Sequence, residues 1–264
     1  MKRTATIAAI AALAAGGCTT LALAETFVGT GGDDTLTGTN RPDQLYGEDG
    51  NDKIGGLGGN DYLEGGPGND LLDGGPGDDL LIGGTGDDQV TGGGGADVVY
   101  AGAGNDQVLG EGGADVLFGQ AGDDRMFGGA GNDRLYTGSG NDFADGGAGN
   151  DWLTGDTASA SETTTLNGGA GNDRIMGTGP GSFVVDGGTG NDTIVTSSGN
   201  DTVTGGGGRD RIRTGAGNDT IDVADGRRDT VDCGPGDDTV KADQLDVLHG
   251  CEHVTRTTVS VHRR

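Results

Sequence analysis

Residues 65–73 read Gly-Gly-Pro-Gly-Asn-Asp-Leu-Leu-Asp, and residues 128–136 read Gly-Gly-Ala-Gly-Asn-Asp-Arg-Leu-Tyr. Both stretches follow one nine-residue pattern, with six glycine-rich positions ending in Asp and then three positions with an aliphatic side chain in the middle. Counted in blocks of nine from Gly29, the same pattern fills nearly all of the chain. A period this short and regular is typical of a solenoid, in which equivalent units stack on one another.

The sixth position of the block is the most regular feature of the chain. In the fourteen blocks whose sixth positions run from residue 34 to residue 151, the eighth position is Leu, Ile, Val or Met in every block but one, which has Ala144. From residue 34 to residue 151 the sixth position is Asp in fourteen successive blocks, at Asp34, Asp43, Asp52, Asp61, Asp70, Asp79, Asp88, Asp97, Asp106, Asp115, Asp124, Asp133, Asp142 and Asp151.

The register shifts after Asp151 but is not lost. Asp173 is the next Asp of the series, and the four additional residues fit a lengthened, Ser/Thr-rich loop at 155–164. The block after Asp173 lacks the Asp and has Ser182 near its place. The series then continues at Asp192, Asp201, Asp210, Asp219, Asp229 and Asp238, and Asp246 ends it one residue early.

The block predicts a turn followed by a short strand. Six glycine-rich residues suit a turn because Gly adopts positive φ without steric cost and Asn tolerates the left-handed region. The last three residues, as in Thr35-Leu36-Thr37, suit a strand whose middle side chain points inward. We therefore predict an all-β fold, a right-handed parallel β-roll (β-solenoid) with two strands per turn, over residues 25–249. A C-terminal cap is predicted at 250–264.

The composition indicates a need for cations. The chain has 42 acidic and 16 basic residues and a net charge of −26, which makes nucleic acid and anionic membranes poor partners. Stacking would place the sixth-position carboxylates of alternate blocks above one another, where they repel by several kcal/mol. A cation between adjacent loops would cancel this repulsion. Carboxylate and carbonyl oxygens favour Ca²⁺ over Mg²⁺, and the loops lack the thiolates and imidazoles that zinc prefers.

The pattern Gly-Gly-x-Gly-(Asn/Asp)-Asp-x-aliphatic-x resembles the hemolysin-type, or repeats-in-toxin (RTX), calcium-binding family. The resemblance implies a β-roll in which multiple Ca²⁺ ions lie between neighbouring turns, held by loop carbonyls and by the sixth-position Asp residues named above, from Asp34 to Asp238. It also implies that the chain is disordered without calcium and folds on binding it. Additional charge around these sites would come from the fifth-position residues Asp33, Asp78, Asp87, Asp123 and Asp237.

The chain departs from toxin-type members of the family. Those members carry an effector domain before the repeats, whereas here the pattern begins close to residue 25. The segment from Asp232 to Glu252, which contains Cys233 and Cys251, resembles the ending of small repeat-only exported proteins of actinobacteria. In such an ending, the paired cysteines would staple the last turns.

The N-terminus has the features of a signal peptide. Lys2 and Arg3 precede an apolar stretch, and Ala22-Leu23-Ala24 is a small-x-small cleavage pattern. We therefore expect residues 1–24 to be removed, a secreted, extracellular protein, and no transmembrane segment after cleavage. A membrane anchor and lipid attachment at Cys18 are the alternatives. In an oxidising compartment Cys233 and Cys251 predict a disulfide, with two free thiols as the alternative.

The sequence does not predict an enzyme. It contains no Gly-x-Ser-x-Gly, phosphate loop or His-Glu-x-x-His, and its carboxylates recur in every block whereas a catalytic pair would be unique. The leading prediction is calcium binding by an exported repeat protein whose folding is driven by Ca²⁺. The alternative is a surface adhesin or matrix-associated module that binds polysaccharide or cell wall through outward aromatic side chains such as Tyr100 and Trp152. An accessory module of an enzyme on another chain is a third possibility.

Overall fold

The computed structural model describes residues 24–257, which form β-strands, turns and loops and no helix. The predicted signal peptide lies outside the described residues except for Ala24, and so does the end of the predicted cap, residues 258–264. Within the described range no helix is long and apolar enough to cross a membrane. The chain divides into two compact units, Met1–Arg125 and Met126–Arg264.

The first unit is a parallel β-solenoid. Its alternate strands pair in parallel, so that one sheet has the order β1-β3-β5-β7-β9-β11 and the other β2-β4-β6-β8-β10. Each turn of the chain therefore contributes one strand to each sheet, as the nine-residue period predicts. The strands are β1 (Glu25–Val28), β2 (Thr35–Thr37), β3 (Asp43–Tyr46), β4 (Lys53–Gly55), β5 (Tyr62–Pro67), β6 (Leu71–Pro76), β7 (Leu80–Thr85), β8 (Gln89–Gly94), β9 (Val98–Ala103), β10 (Gln107–Gly112) and β11 (Val116–Ala121).

The second unit repeats this architecture with shorter strands toward its end. The strands are β12 (Arg125–Ala130), which begins at the last residue of the first unit, β13 (Arg134–Ser139), β14 (Phe143–Ala148), β15 (Trp152–Asp156), β16 (Thr163–Asn167), β17 (Arg174–Thr178), β18 (Ser182–Asp186), β19 (Thr189–Gly190), β20 (Thr193–Val195), β21 (Thr202–Thr204), β22 (Gly207–Gly208), β23 (Arg211–Arg213), β24 (Thr220–Asp222), β25 (Thr230–Asp232), β26 (Thr239–Ala242), β27 (Val247–His249) and β28 (His253–Arg256). One sheet has the order β13-β15-β17-β20-β23-β25-β27, the other β12-β14-β16-β18-β21-β24-β26-β28, and β19 pairs with β22.

The core of each unit consists of the eighth-position side chains. The strand register stacks them in direct succession, as in Leu45 on Leu63, and Leu63 on Leu81, and these three side chains are fully buried. Burial of one such aliphatic side chain stabilises a fold by about 1.5–3 kcal/mol. Because most strands contribute only one such side chain, the core is a narrow layer between the two sheets.

The lengthened loop and the interrupted block are neighbours in the second unit. Between β15 and β16 the Glu162 carboxylate accepts the backbone N–H groups of Ala158, at 2.5 Å, and Ser159, at 3.2 Å, which closes the loop on itself. The register aligns Thr164 with Phe183, and the Phe183 N–H donates to Asp201 as sixth-position amides do. The sixth position is therefore Phe183 and not Ser182, a shift of one residue from the sequence prediction.

Phe183 replaces the missing carboxylate with an apolar side chain. It is fully buried, and a Cβ built on Gly155 would lie 3.0 Å from its ring. The ring therefore occupies space that a side chain at Gly155 would fill.

The last turns are linked covalently. A disulfide joins Cys233 to Cys251, with their Cα atoms 5.4 Å apart, which confirms the predicted pairing. Alongside it, the N–H of Cys233 donates to the carbonyl of His249 at 3.0 Å. The strand β28 pairs in parallel with β26 and lies within the predicted cap.

The glycine requirement differs between positions of the block. Gly77, at the fourth position, has φ of 149°, and a Cβ there would overlap the carbonyl oxygen of Gly59 in the preceding turn. Gly94, at the third position, has nothing within 4 Å of its would-be Cβ. Glycine is thus needed for backbone conformation and close stacking at the first of these sites and not at the second.

We therefore predict opposite results for two Gly→Ala substitutions in the same unit. Gly77→Ala should lower the free energy of unfolding by at least about 2 kcal/mol because it combines a disfavoured φ with a steric overlap. Gly94→Ala, the matched control, should change it by less than about 0.5 kcal/mol. Urea unfolding in saturating calcium measures both, and equal effects of the two variants would contradict this explanation of the glycines.

Candidate metal site

The sixth-position aspartates lie where each glycine-rich loop enters a strand. Asp34, in the first turn, is partly exposed, but the other twenty, from Asp43 to Asp238, each have no more than 3% of their surface exposed. Burial of so many carboxylates is unusual because an ionised group loses its hydration in the interior. Each therefore needs hydrogen bonds, a counter-ion or a proton.

Hydrogen bonds satisfy one oxygen of each carboxylate. The N–H of Asp61 donates to Oδ1 of Asp79 at 2.7 Å, and the N–H of Asp79 donates to Oδ1 of Asp97 at 2.8 Å. The same bond recurs from turn to turn along Asp34, Asp52, Asp70, Asp88, Asp106 and Asp124, along Asp43, Asp61, Asp79, Asp97 and Asp115, and in the second unit along Asp133, Asp151, Asp173, Asp192, Asp210 and Asp229 and along Asp201, Asp219 and Asp238. We call these columns the aspartate ladders.

The second carboxylate oxygen, Oδ2, is buried and lacks a hydrogen-bond partner among the described residues in much of each unit. In the first two blocks the situation differs, because Thr30 and Thr39 donate to Oδ2 of Asp34 and Asp43 through both their backbone N–H and their hydroxyl. The unpartnered atoms are the Oδ2 atoms of Asp52, Asp61, Asp70, Asp79, Asp88, Asp97, Asp106, Asp151, Asp173, Asp192, Asp210 and Asp229.

The space around Oδ2 depends on the glycine at the first position of the block. A Cβ built on Gly74 would lie 2.5 Å from Oδ2 of Asp79 and 2.6 Å from the carbonyl oxygen of Gly92, one turn on. Two oxygen atoms, one carboxylate and one carbonyl, therefore border the volume that glycine leaves open. Such a set of hard oxygen donors fits Ca²⁺.

Side chains alone do not complete a metal site. Within residues 24–257 no group of three His, Cys, Asp or Glu side chains is placed to hold one ion. A bound ion would therefore need backbone carbonyl oxygens of the glycine-rich loops in addition to the aspartates. This agrees with the predicted donor set, and the role of the individual aspartates as ligands stays a prediction.

The buried carboxylates are costly in the ionised form. Burial raises the pKa of Asp79 to about 7; the Asp61 hydrogen bond lowers it, and the charges of Asp97 and Asp61 raise it further. Burial likewise raises the pKa of Asp88, Asp192 and Asp229 to about 7 and that of Asp52, Asp151 and Asp210 to about 6. Each unit by which a pKa is raised corresponds to about 1.4 kcal/mol that disfavours the charged form.

A profile of the RTX calcium-binding nonapeptide repeat matches residues 28–63, 55–90, 73–108, 100–135, 109–144, 127–158, 164–179 and 186–221. The chain belongs to this RTX repeat family. This confirms the resemblance drawn from the nine-residue pattern, and the family supports calcium binding by this repeat protein. A comparison with curated proteins found no match. When bound, calcium would supply the positive charge that the RTX aspartate ladders lack.

Two further groups of this RTX chain end the ladders: Glu252, which was not identified from the sequence, and Asp246, which was identified as the end of the series but not among the proposed ligands. Glu252 accepts the N–H of Asp238 at 3.0 Å and takes the place of a final aspartate, although it is only 14 residues further along the chain. Asp246 accepts the N–H of Asp229 at 3.0 Å. The sequence signal for Asp246 is the last, shortened block, whereas Glu252 falls outside the period and carries no such signal.

A second, outer ladder involves the fifth position of the block. The N–H of Asn69 donates to Oδ1 of Asn51 at 2.8 Å, and the N–H of Asp87 donates to Oδ1 of Asn69 at 3.0 Å. These bonds run to the preceding turn, whereas the sixth-position amides donate to the following turn. From the sequence we predicted only added charge for fifth-position Asp residues, and the structural role that Asn and Asp share there was missed.

The raised pKa values predict that acid stabilises the metal-free fold. Burial raises the pKa of Asp79 to about 7 and that of Asp52 to about 6, against an ordinary value of 3.8, so the folded state binds more protons than the unfolded state between these limits. The stability that comes from these protons is fully present below the ordinary pKa of aspartate and is lost as the pH rises through about 7. In chelator, β-structure measured by circular dichroism should therefore be greater at about pH 5.5 than at about pH 8. More β-structure at the higher pH would contradict the assignment of the cost to buried charge.

Proposed function

We propose that this protein is an exported calcium-binding repeat protein whose folding is driven by Ca²⁺ ions bound between stacked loops. The observation that carries the proposal is the recurring buried Oδ2 atom without a hydrogen-bond partner, for example in Asp79 and Asp88. An ionised oxygen left in this state costs more than a narrow aliphatic core readily offsets. A divalent cation at each such oxygen would convert this unfavourable contribution into a favourable one.

The expected affinity for calcium indicates the compartment in which the protein would fold. Extracellular calcium modules have dissociation constants of about 10⁻⁴–10⁻³ M, so they are empty inside the cell and filled outside it. Three features support export: the basic pair Lys2 and Arg3 before an apolar stretch, the cleavage pattern ending at Ala24, and the disulfide between Cys233 and Cys251. The chain would cross the membrane unfolded and fold on meeting calcium. We propose a binding role and not catalysis, since its carboxylates are equivalent from turn to turn.

A calcium titration of residues 25–264 tests the proposal. Starting from chelator at about pH 8, far-ultraviolet circular dichroism should change cooperatively from coil to β as free Ca²⁺ reaches about 10⁻⁴–10⁻³ M. Equal concentrations of Mg²⁺ should not reproduce the change, because Mg²⁺ requires a rigid octahedron and releases water reluctantly. A β spectrum already complete in chelator would sink the proposal.

A matched pair of substitutions tests the role of the sixth position. Asp79→Asn keeps the acceptor for Asp61 but removes Oδ2 and its charge, so in saturating calcium it should lower the free energy of unfolding by about 1–3 kcal/mol. In chelator at about pH 8 the variant should show no less β-structure than the parent, because repulsion from Asp61 and Asp97 is relieved.

The control is Asp78→Asn, one residue earlier. Asp78 is exposed and accepts the N–H of Ala96 at 2.9 Å, which asparagine can also do. This variant should change the free energy of unfolding in saturating calcium by less than about 0.5 kcal/mol, as surface changes usually do. If both variants lowered it equally, the aspartate would act through net charge and not through a site.

A further inference from the structure

The outward positions of one sheet in the second unit carry a distinctive set of side chains. In strands β13, β15, β17, β20 and β23 the central residue of each three-residue repeat strand is buried, and the residues on either side of it point outward. We call these ten outward residues the arginine face: Arg134, Tyr136, Trp152, Thr154, Arg174, Met176, Thr193, Val195, Arg211 and Arg213. Four are arginine and none is acidic, in a chain of net charge −26.

The matching strands of the other sheet have the opposite character. The equivalent outward positions of β14, β16, β18, β21 and β24 are Phe143, Asp145, Thr165, Asn167, Val184, Asp186, Thr202, Thr204, Thr220 and Asp222. Three of these are aspartates and none is basic. In these five turns the positive charge therefore lies on one face and the negative charge on the other, and the arginine sheet ends its basic stretch at Asp232 in β25.

The arginines recur in alternate turns. The parallel register places Arg134 beside Trp152, Trp152 beside Arg174, Arg174 beside Thr193, and Thr193 beside Arg211. Neighbouring strands lie about 4.8 Å apart, so successive arginines of this column are roughly 9.6 Å apart. Thus the face presents a straight row of positive charges with a regular spacing and an aromatic ring between the first two.

These arginines have few charged partners within the described residues. Among residues 24–257, Arg134, Arg174 and Arg211 form no salt bridge, and Arg213 has only a 3.9 Å contact with the exposed Asp232. The guanidinium of Arg174 lies 5.3 Å from the centre of the Trp152 ring, and the indole Nε1 donates to the Thr154 hydroxyl at 3.1 Å. These two contacts orient a ring that remains 37% exposed.

We propose that the arginine face binds an acidic polysaccharide, with the arginines pairing with sugar carboxylates and Trp152 stacking on a sugar ring. Arginine binds a carboxylate through two parallel hydrogen bonds, and an indole offers an apolar surface to the C–H face of a pyranose. The rise of one sugar in an extended polysaccharide is close to the interstrand distance. Carboxylates on alternate sugars could therefore meet arginines on alternate turns.

The charge balance favours this partner over a nucleic acid. Nucleic acid carries a phosphate at every nucleotide, and a chain of net charge −26 would repel that density beyond the face itself. A polysaccharide with one carboxylate on every second sugar has the sparse charge that four arginines can match. The inference rests on the proposed function, because the face exists only when the calcium-dependent roll is folded.

Trp152 provides the measurement, because it is the only tryptophan of the chain and its fluorescence reports directly on the face. The probe is hyaluronan, which carries a carboxylate on every second sugar, added to the calcium-loaded protein. We expect a saturable change in Trp152 fluorescence that weakens as NaCl is raised, since salt screens exposed charge pairs. Neutral dextran should produce none. A lack of response to hyaluronan, or an equal response to single-stranded DNA, would overturn the proposal.

Two triple variants separate the face from general charge. Replacing Arg134, Arg174 and Arg211 with Gln should weaken hyaluronan binding by about tenfold or more, since several charge-assisted pairs are lost together. Replacing Arg209, Arg227 and Arg228 with Gln removes the same charge from the loops of the same unit and should change binding by less than about threefold. Equal weakening in the two variants would contradict a site on the face.

Circular dichroism of each sample distinguishes failure to bind from failure to fold. A variant that shows the β spectrum in calcium but does not bind supports the arginine face as the site. If the parent protein shows a β spectrum in calcium and does not bind hyaluronan, the inference is wrong while the proposed function stands. If the parent protein does not fold in calcium, the proposed function itself is wrong.

Discussion

The backbone N–H of each sixth-position aspartate donates to the carboxylate of the equivalent aspartate in the following turn, as from Asp61 to Asp79 and from Asp79 to Asp97. This bond satisfies an amide where the chain leaves the loop, beyond the reach of the strand ladder. It also fixes the carboxylate inside the roll, with Oδ2 against the first-position glycine of its own block. Holding the carboxylate there accounts for the glycine at the first position, the burial of the carboxylates and the repulsion between carboxylates of successive turns. The need for a cation follows from that repulsion.

The sequence predicts the fold well because one period determines it. Fourteen successive aspartates and a nearly unbroken aliphatic position leave a single register, so strand number per turn, core residues and ladder residues can be assigned together. Where the period changes, the assignment loses accuracy. After the insertion around residue 160, the sixth position was assigned near Ser182, whereas the structure places it at Phe183. Spacing alone does not show where the extra residues are accommodated. Glu252 ends a ladder without any periodic signal, since it is recognised only by its contact with Asp238.

The interruption at Thr164 and Phe183 shows a second way to stabilise a turn. In that column the structure replaces two successive carboxylates with a buried hydroxyl and a fully buried aromatic ring, and Gly155 leaves space for the ring. An aromatic side chain buries more apolar surface than any of the eighth-position aliphatics, and it brings no charge into the interior. The turns around Phe183 therefore bury fewer carboxylates than turns that contain Asp79 or Asp88. The cost of buried charge thus differs between individual turns and is set by the residue at the sixth position.

The structural constraints fall on only some positions of each nine-residue block. The sixth and eighth positions are constrained by the ladder and the core, and the second and fourth by backbone conformation, whereas the seventh and ninth only have to fit the surface of a sheet. A side chain there changes the outward face without altering the stacking, which is why one sheet of the second unit can carry Arg134, Arg174 and Arg211 while the other carries Asp145 and Asp186. Since each turn contributes to both faces, substitutions at equivalent positions of successive turns build rows with a fixed spacing. A regular row suits a regular polymer, so this scaffold combines constrained sixth and eighth positions, which hold the turns together, with seventh and ninth positions that can vary the surface.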